Sequence, residues 1–198
     1  MSSAESTSET TPVTYRIDAK RSRFTVRAFA GGMLSALGHN PTIAIRDFEG
    51  EAKFLPDRPD RLDLASLRIS IKADSLTVID DVSDKDRHEI ERQMREDVLE
   101  TAKYPEIAFE STRIEGEKIF AGQYRVTISG KLSLHGVARD CVIAGQVIAS
   151  EDSLRANGEF TLQQTDYRIK LVSAVGGTIK LKDELKFSFD IVARKESA

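Results

Sequence analysis

The sequence contains a single cysteine, Cys141, so no intrachain disulfide can form. A lone cysteine fits a reducing compartment, and a small core or strand position is its usual place. An excess of charge of one sign is also lacking, because 29 basic residues face 32 acidic ones and the formal net charge is −3. Since no basic block with interleaved aromatic residues occurs either, we expect no nucleic-acid partner.

Long apolar runs are absent as well. No segment approaches the roughly 20 consecutive apolar residues that a membrane-spanning helix needs. The start, MSSAESTSETTPVT, has neither the basic residues nor the apolar stretch of a secretory signal. We therefore expect a cytoplasmic protein without a membrane span.

Familiar catalytic motifs are missing too. The sequence has no glycine-rich phosphate loop with its lysine, no dinucleotide fingerprint and no Gly-x-Ser-x-Gly. The histidines, His39, His88 and His135, lie far apart and lack the local spacing of a metal site. The sequence thus predicts no catalytic residues, no metal and no cofactor, and a metal-dependent enzyme that uses these three histidines stays as an alternative.

Several segments of the chain carry apolar residues at every second position. Such alternation predicts strands with one buried face and one wet face. Polar connections, EGEK at residues 115–118 and SEDS at 150–153, are predicted to join them as in a meander. Because an open sheet would leave two unprotected edges, closure into a barrel is favoured over a sandwich. The alternating segments cover residues 24–28, 67–71, 124–134, 160–162 and 185–191.

Three segments depart from this alternation. Residues 1–13 are rich in Ser, Thr and Glu and are predicted to be a disordered tail, which leaves 14–195 as one domain. Residues 83–101 carry apolar side chains at four-residue spacing and predict an amphipathic helix with its N-cap at Ser83 or Asp84. Two apolar, glycine-rich loops, at 30–39 and 171–177, are predicted to cover the barrel mouth or to contact a ligand, a partner or a membrane, with packing against the helix as the alternative.

The order and spacing of several short segments resemble the YceI-like family of lipocalin-like, polyisoprenoid-binding proteins, over roughly residues 15–193. The strongest segment is GKLSLHGV at 130–137. The resemblance implies an all-β fold, an eight-stranded antiparallel lipocalin-like barrel with one helix between strands, whose apolar bore accepts an isoprenoid chain. The other segments are YRID at 15–18, SRFTV at 22–26, FEG at 48–50, DRH at 86–88, YPEIAFES at 104–111, DYRI at 166–169 and LKFSFDI at 185–191.

The predicted function is the binding or carrying of a long apolar ligand (a polyisoprenoid, a quinone or a similar lipid). Each methylene removed from water contributes about 0.8 kcal/mol, so a dry bore binds without charged contacts. Tyr124, Tyr167 and His39 are candidates for contacting a polar head group. Two further alternatives stay open: the same side chains fill a packed core, or the chain is a ligand-free interaction or stress-related module. Independently of these, exposed apolar loops favour a homodimer. The side chains predicted to face inward are Phe24, Val26, Ile69, Ile71, Ile107, Phe109, Tyr124, Val126, Ile128, Phe160, Leu162, Phe187 and Phe189.

Overall fold

A computed structural model describes residues 11–31, 40–56, 61–171, 173–174 and 179–196. His39, residues 1–10 of the predicted tail and parts of both apolar loops lie outside these ranges. The described residues form twelve strands: β1 (Val13–Ile17), β2 (Arg23–Gly31), β3 (Thr42–Ile45), β4 (Phe48–Phe54), β5 (Ser66–Lys72), β6 (Leu76–Val78), β7 (Glu106–Phe120), β8 (Gln123–Leu134), β9 (Val137–Ala149), β10 (Ser153–Gln163), β11 (Ser173–Ala174) and β12 (Ile179–Lys195).

Eight of these strands close into an antiparallel ring. Its order is β1-β4-β5-β7-β8-β9-β10-β12, and β12 pairs back onto β1 through the register Tyr15↔Lys195. The predicted eight-stranded barrel is therefore confirmed. The first part of β12 pairs instead with β2, from which β3 and β6 continue the sheet at one end of the barrel.

The alternation of the sequence accounts for the two faces of each strand. Along β8, Tyr124, Val126 and Leu132 are buried, whereas the alternating Arg125 and Lys131 are exposed. Cross-strand ion pairs lie on the outer face, such as Arg68 with Glu110 at 2.6 Å on neighbouring positions of β5 and β7. The polar outer face and the apolar inner face both follow from a period of two.

One predicted connection is wrong. EGEK at 115–118 lies within β7, where Gly116 pairs with Val126 of β8, and the chain turns only at Ala121 and Gly122. Gly116 is in the strand because its neighbours come close: a Cβ there would lie 2.3 Å from the carbonyl oxygen of Arg125. Close approach of the neighbouring backbone, and not a turn, requires the glycine at this position. The other connection, SEDS, joins β9 to β10 as predicted.

The predicted helix is present as α1 (Asp84–Gln93), followed by a π-helical turn over Met94–Val98. Ser83 is its N-cap, since its hydroxyl accepts a hydrogen bond from the Asp86 amide at 3.1 Å. Met94 is buried within the main apolar core. The helix thus packs against one end of the barrel. Among the residues that the structure describes, no helix has the length and hydrophobicity to cross a bilayer.

The helix also covers the outer edge of β6. The Glu91 carboxylate accepts a hydrogen bond from the Val78 amide at 3.0 Å, and the Arg87 guanidinium donates to the carbonyl oxygens of Val78 and Asp80. Both side chains therefore bond to backbone groups that a neighbouring strand would otherwise satisfy. As a consequence Glu91 is only 8% exposed, although it lies in a strongly charged segment.

Candidate functional site

A cavity of about 170 Å³ lies inside the closed ring. Nearly all the side chains around it are apolar, and the polar residues that line it are Lys53, Ser66 and Tyr124. Of the predicted ligand-binding residues, those that line it are Phe24, Ile69, Ile71, Ile107, Phe109, Tyr124, Val126, Ile128, Phe160 and Phe189.

The remaining predicted residues lie elsewhere. Val26, Leu162 and Tyr167 are buried in the main core, on the side of the barrel that α1 covers. The Phe187 ring stacks on the ring of its cross-strand partner Phe160, with centroids 4.7 Å apart, and packs against the main core without lining the cavity. His39 lies outside the described residues. In this part of the bore the side chains fill the interior, so a residue that faces inward does not line a cavity.

Other lining residues were not predicted. Many are inward-facing strand positions, which the same alternation could have found. The small side chains Ala52, Ala156 and Ala193 are the most informative of these, because they leave the space that larger residues fill elsewhere in the bore. Leu62 belongs to no strand and has no periodic signal. The lining residues that were not predicted are Ile17, Ala52, Lys53, Phe54, Leu62, Ala65, Ser66, Leu67, Ile114, Leu132, Ile143, Val147, Leu154, Ala156, Ile191 and Ala193.

The two tyrosines proposed for a head group are not brought together. Tyr124 lies at the start of β8, whereas the Tyr167 carbonyl contacts His135, just beyond the other end of that strand. At about 3.3 Å per residue, the two ends of β8 are more than 30 Å apart. Burial raises the pKa of the Tyr124 phenol, and it is the main reason why the pKa of Tyr167 rises to about 12. Both phenols are therefore neutral at physiological pH.

His135 has a structural environment. It occupies the tight turn between β8 and β9 with a φ of 51°, and its Nδ1 and Nε2 lie 3.1 Å and 2.7 Å from the Tyr167 carbonyl oxygen and the Glu100 carboxylate. His88 is exposed on α1. Within the described ranges, no three His, Cys, Asp or Glu side chains are grouped as metal ligands would be.

Cys141 lies on the inner face of β9. It is half-buried against the main core, and burial raises the pKa of its thiol. A thiol whose pKa is raised is mostly protonated near neutral pH and reacts slowly. The environment is that of a small core residue.

The cavity comes close to the surface beside a short 3-10 turn, Leu62–Leu64, which we call the mouth turn. A groove on the outer side runs along β7 and is lined by residues such as Asp63, Arg113 and Lys118. Leu62, Ile114 and Tyr124 line both this groove and the cavity. These three side chains therefore lie between the bore and the groove, and we call them the partition.

Comparisons with known proteins agree with this architecture. Residues 15–193 match the family model described as YceI-like domain. A UPF0312 protein of Pseudomonas savastanoi pv. phaseolicola is 27% identical over 175 residues, which cover 85% of this chain and 82% of the relative. A UPF0312 protein of Azotobacter vinelandii is 31% identical over 123 residues, which cover 61% of this chain and 57% of the relative.

Two solved structures have the same fold. The crystal structure of Burkholderia cenocepacia BcnA superposes with a TM-score of 0.65 at 18% identity, covering 89% of this chain and 98% of BcnA. A polyisoprenoid binding domain from Saccharophagus degradans, implicated in plant cell wall breakdown, superposes with a TM-score of 0.66 at 15% identity, covering 93% of this chain and 99% of that domain.

Proposed function

This chain belongs to the YceI-like family, and we propose that it binds an apolar, chain-like ligand (a polyisoprenoid, a quinone tail or a similar lipid) inside its barrel. The observation that carries the proposal is the cavity of about 170 Å³, enclosed by the eight-stranded ring and lined almost entirely by apolar side chains. The similar domain from Saccharophagus degradans is described as polyisoprenoid binding, which supports the same class of ligand.

The size and lining of the cavity define how such a ligand is held. An apolar cavity of about 150 Å³ inside a protein stays dry and takes up a molecule the size of benzene. The enclosed space therefore holds roughly one or two isoprene units, and a longer chain displaces side chains or extends through the mouth. Each methylene that enters contributes about 0.8 kcal/mol, so affinity comes from burial and not from charge.

The proposed activity is binding without catalysis. Among the described residues that line the cavity, Lys53 is the one charged side chain, and Tyr124 carries a phenol whose pKa is raised. The cytoplasmic location and the homodimer stay predictions from the sequence.

The test is native mass spectrometry of the purified protein, before and after incubation with farnesol, with organic extraction of whatever co-purifies. We expect a bound mass that matches an isoprenoid or another aliphatic chain, or one farnesol per chain. Replacement of Ala156, which lines the cavity, by Phe fills the space and should abolish uptake.

The matched control is Ala144→Phe, since Ala144 is exposed on the neighbouring strand β9. This variant should bind as the unchanged protein does. The proposal is contradicted if the unchanged protein carries no bound aliphatic molecule and takes up no farnesol. Equal loss of binding in Ala144→Phe and Ala156→Phe would place the ligand outside the bore.

A further inference from the structure

The three residues of the partition between the bore and the outer groove differ in how firmly the backbone holds them. Ile114 and Tyr124 belong to long strands: Ile114 pairs with Ile128, and Tyr124 pairs with Lys118 on one side and Val147 on the other. Leu62, the third member, belongs to the mouth turn, which two backbone hydrogen bonds close on itself, from Leu64 to Arg61 and from Ala65 to Leu62. Moving Leu62 therefore does not require a strand ladder to break.

The strand beside the mouth turn leaves room for such a movement. β5 pairs with β7 only from Glu106 to Glu110, and the Ser111 hydroxyl, which accepts from the Leu67 amide at 2.8 Å, ends the contact between them. Over the described residues, the rest of β7 has no strand on this side and packs against the mouth turn instead. An opening between the mouth turn and β7 therefore separates side chains and leaves the hydrogen bonds between the barrel strands intact.

The contact that closes this opening is the packing of Leu62 on Gly116. A Cβ at Gly116 would lie 3.2 Å from Leu62 Cδ1, so the missing side chain lets Leu62 lie directly on the β7 backbone. Leu62 is only partly buried and contacts the smaller apolar cluster, around Tyr15, Phe54 and Tyr124. A half-buried leucine on a glycine is a weak closure, because only part of its apolar surface is removed from water.

The other end of the barrel is closed more firmly. Met94, Leu99 and Tyr167 are all at most 9% exposed there and belong to the main core. A ligand that entered at that end would have to displace this core.

We propose that Leu62 is the gate of the bore: the mouth turn swings away from Gly116, the cavity joins the groove along β7, and an apolar chain enters or leaves beneath it. This inference rests on the proposed function, since it describes how the ligand reaches the same cavity. A gate sets how fast a ligand enters and leaves and has little influence on how tightly it is held. That property separates Leu62 from a residue that merely lines the bore.

The first experiment measures the binding rates of N-phenyl-1-naphthylamine, an uncharged fluorophore that brightens in apolar surroundings, by stopped flow. In Leu62→Ala we expect the association and dissociation rate constants to rise together by roughly tenfold, because the closed state loses about half of a leucine side chain's burial. The dissociation constant should stay within about threefold. The matched control is Leu64→Ala, in the same turn but 44% exposed, and its rates should not change.

A rise in the dissociation rate alone would make Leu62 an ordinary lining contact and would overturn the gate. Equal effects of Leu62→Ala and Leu64→Ala would overturn it as well, since they would report a general loosening of the turn. If the unchanged protein binds neither the fluorophore nor farnesol, the proposed function fails, and the second experiment still decides whether Leu62 opens.

The second experiment needs no ligand. In a Cys141→Ser background, Ile128→Cys places one thiol on the cavity lining, in a strand paired on both sides. Labelling of this thiol with a maleimide should be at least tenfold faster when Leu62→Ala is added, because a gate that opens more often admits the reagent without unfolding. Leu64→Ala, added in its place, should leave the labelling rate unchanged. An unchanged rate with Leu62→Ala would mean that the bore does not open at Leu62.

Discussion

Replacement of Glu91 by Ala tests whether α1 is held on the barrel by backbone hydrogen bonds from the edge of β6. The substitution removes the acceptor of the Val78 amide and leaves that amide buried. An unsatisfied buried donor costs about 1–3 kcal/mol. The ion pair with Arg95, 3.2 Å long and partly exposed, adds up to about 1 kcal/mol. We therefore expect Glu91→Ala to lower the free energy of unfolding by about 1–4 kcal/mol.

Two further variants separate the causes. Glu91→Gln keeps a carbonyl oxygen for the Val78 amide and loses only the charge, so it should lower the stability by less than about 1 kcal/mol. Glu89→Ala removes a glutamate of the same helix that pairs with Arg92 but whose side chain is 53% exposed, and it should lower the free energy of unfolding far less than Glu91→Ala.

The measurement is urea unfolding followed by circular dichroism, together with hydrogen exchange of the Val78 amide. Exchange of this amide should accelerate in Glu91→Ala and stay slow in Glu91→Gln. The reasoning is refuted if Glu91→Ala is no more destabilising than Glu89→Ala, because water would then satisfy the Val78 amide as well as the carboxylate does. It is also refuted if Gln is as destabilising as Ala, because the charge would then account for the whole effect.

Two other predictions concern the same end of the barrel. Burial raises the pKa of Tyr167 to about 12, whereas the phenol of the unfolded chain ionises near pH 10. The neutral phenol therefore contributes stability that is complete below about pH 10 and is lost as the pH rises towards 12. Urea unfolding across this range should show the loss of stability, and Tyr167→Phe should make that loss smaller. Gly136 has a φ of 72°, and a Cβ there would lie 2.5 Å from the Tyr104 ring. Gly136→Ala should therefore lower the free energy of unfolding by about 1–3 kcal/mol, and an unchanged urea midpoint would contradict this account of the turn.

Much of the fold follows from local patterns. Residues 124–128 and 185–191 alternate so regularly that both the strands and their inward faces could be predicted. The N-cap Ser83 and the helix after it were equally accessible, because capping and amphipathic spacing are properties of a few consecutive residues. Gly116 shows the limit of this approach, since only the neighbouring Arg125 carbonyl and Leu62 explain why a glycine stands within a long strand.

The candidate site was less accessible. Phe109 and Val126 line the cavity, whereas Leu162 and Tyr167 belong to a filled core. Glu91, in a charged helix, reads as a solvated residue, although it bonds to the edge of β6. Leu62, which we propose as the gate, lies in a turn of three residues with no pattern at all.

Local patterns are enough to predict that the chain forms strands with one apolar face and that a helix interrupts them, because each of these properties depends on residues close together along the chain. Where the bore is empty and where it is filled follows from the folded barrel alone. That depends on the summed volumes of side chains from all eight strands of the ring, and on Leu62 packing on a glycine 54 positions further along the chain. Contacts between residues so distant in sequence have no periodic signature, so they become visible only when the ring is closed.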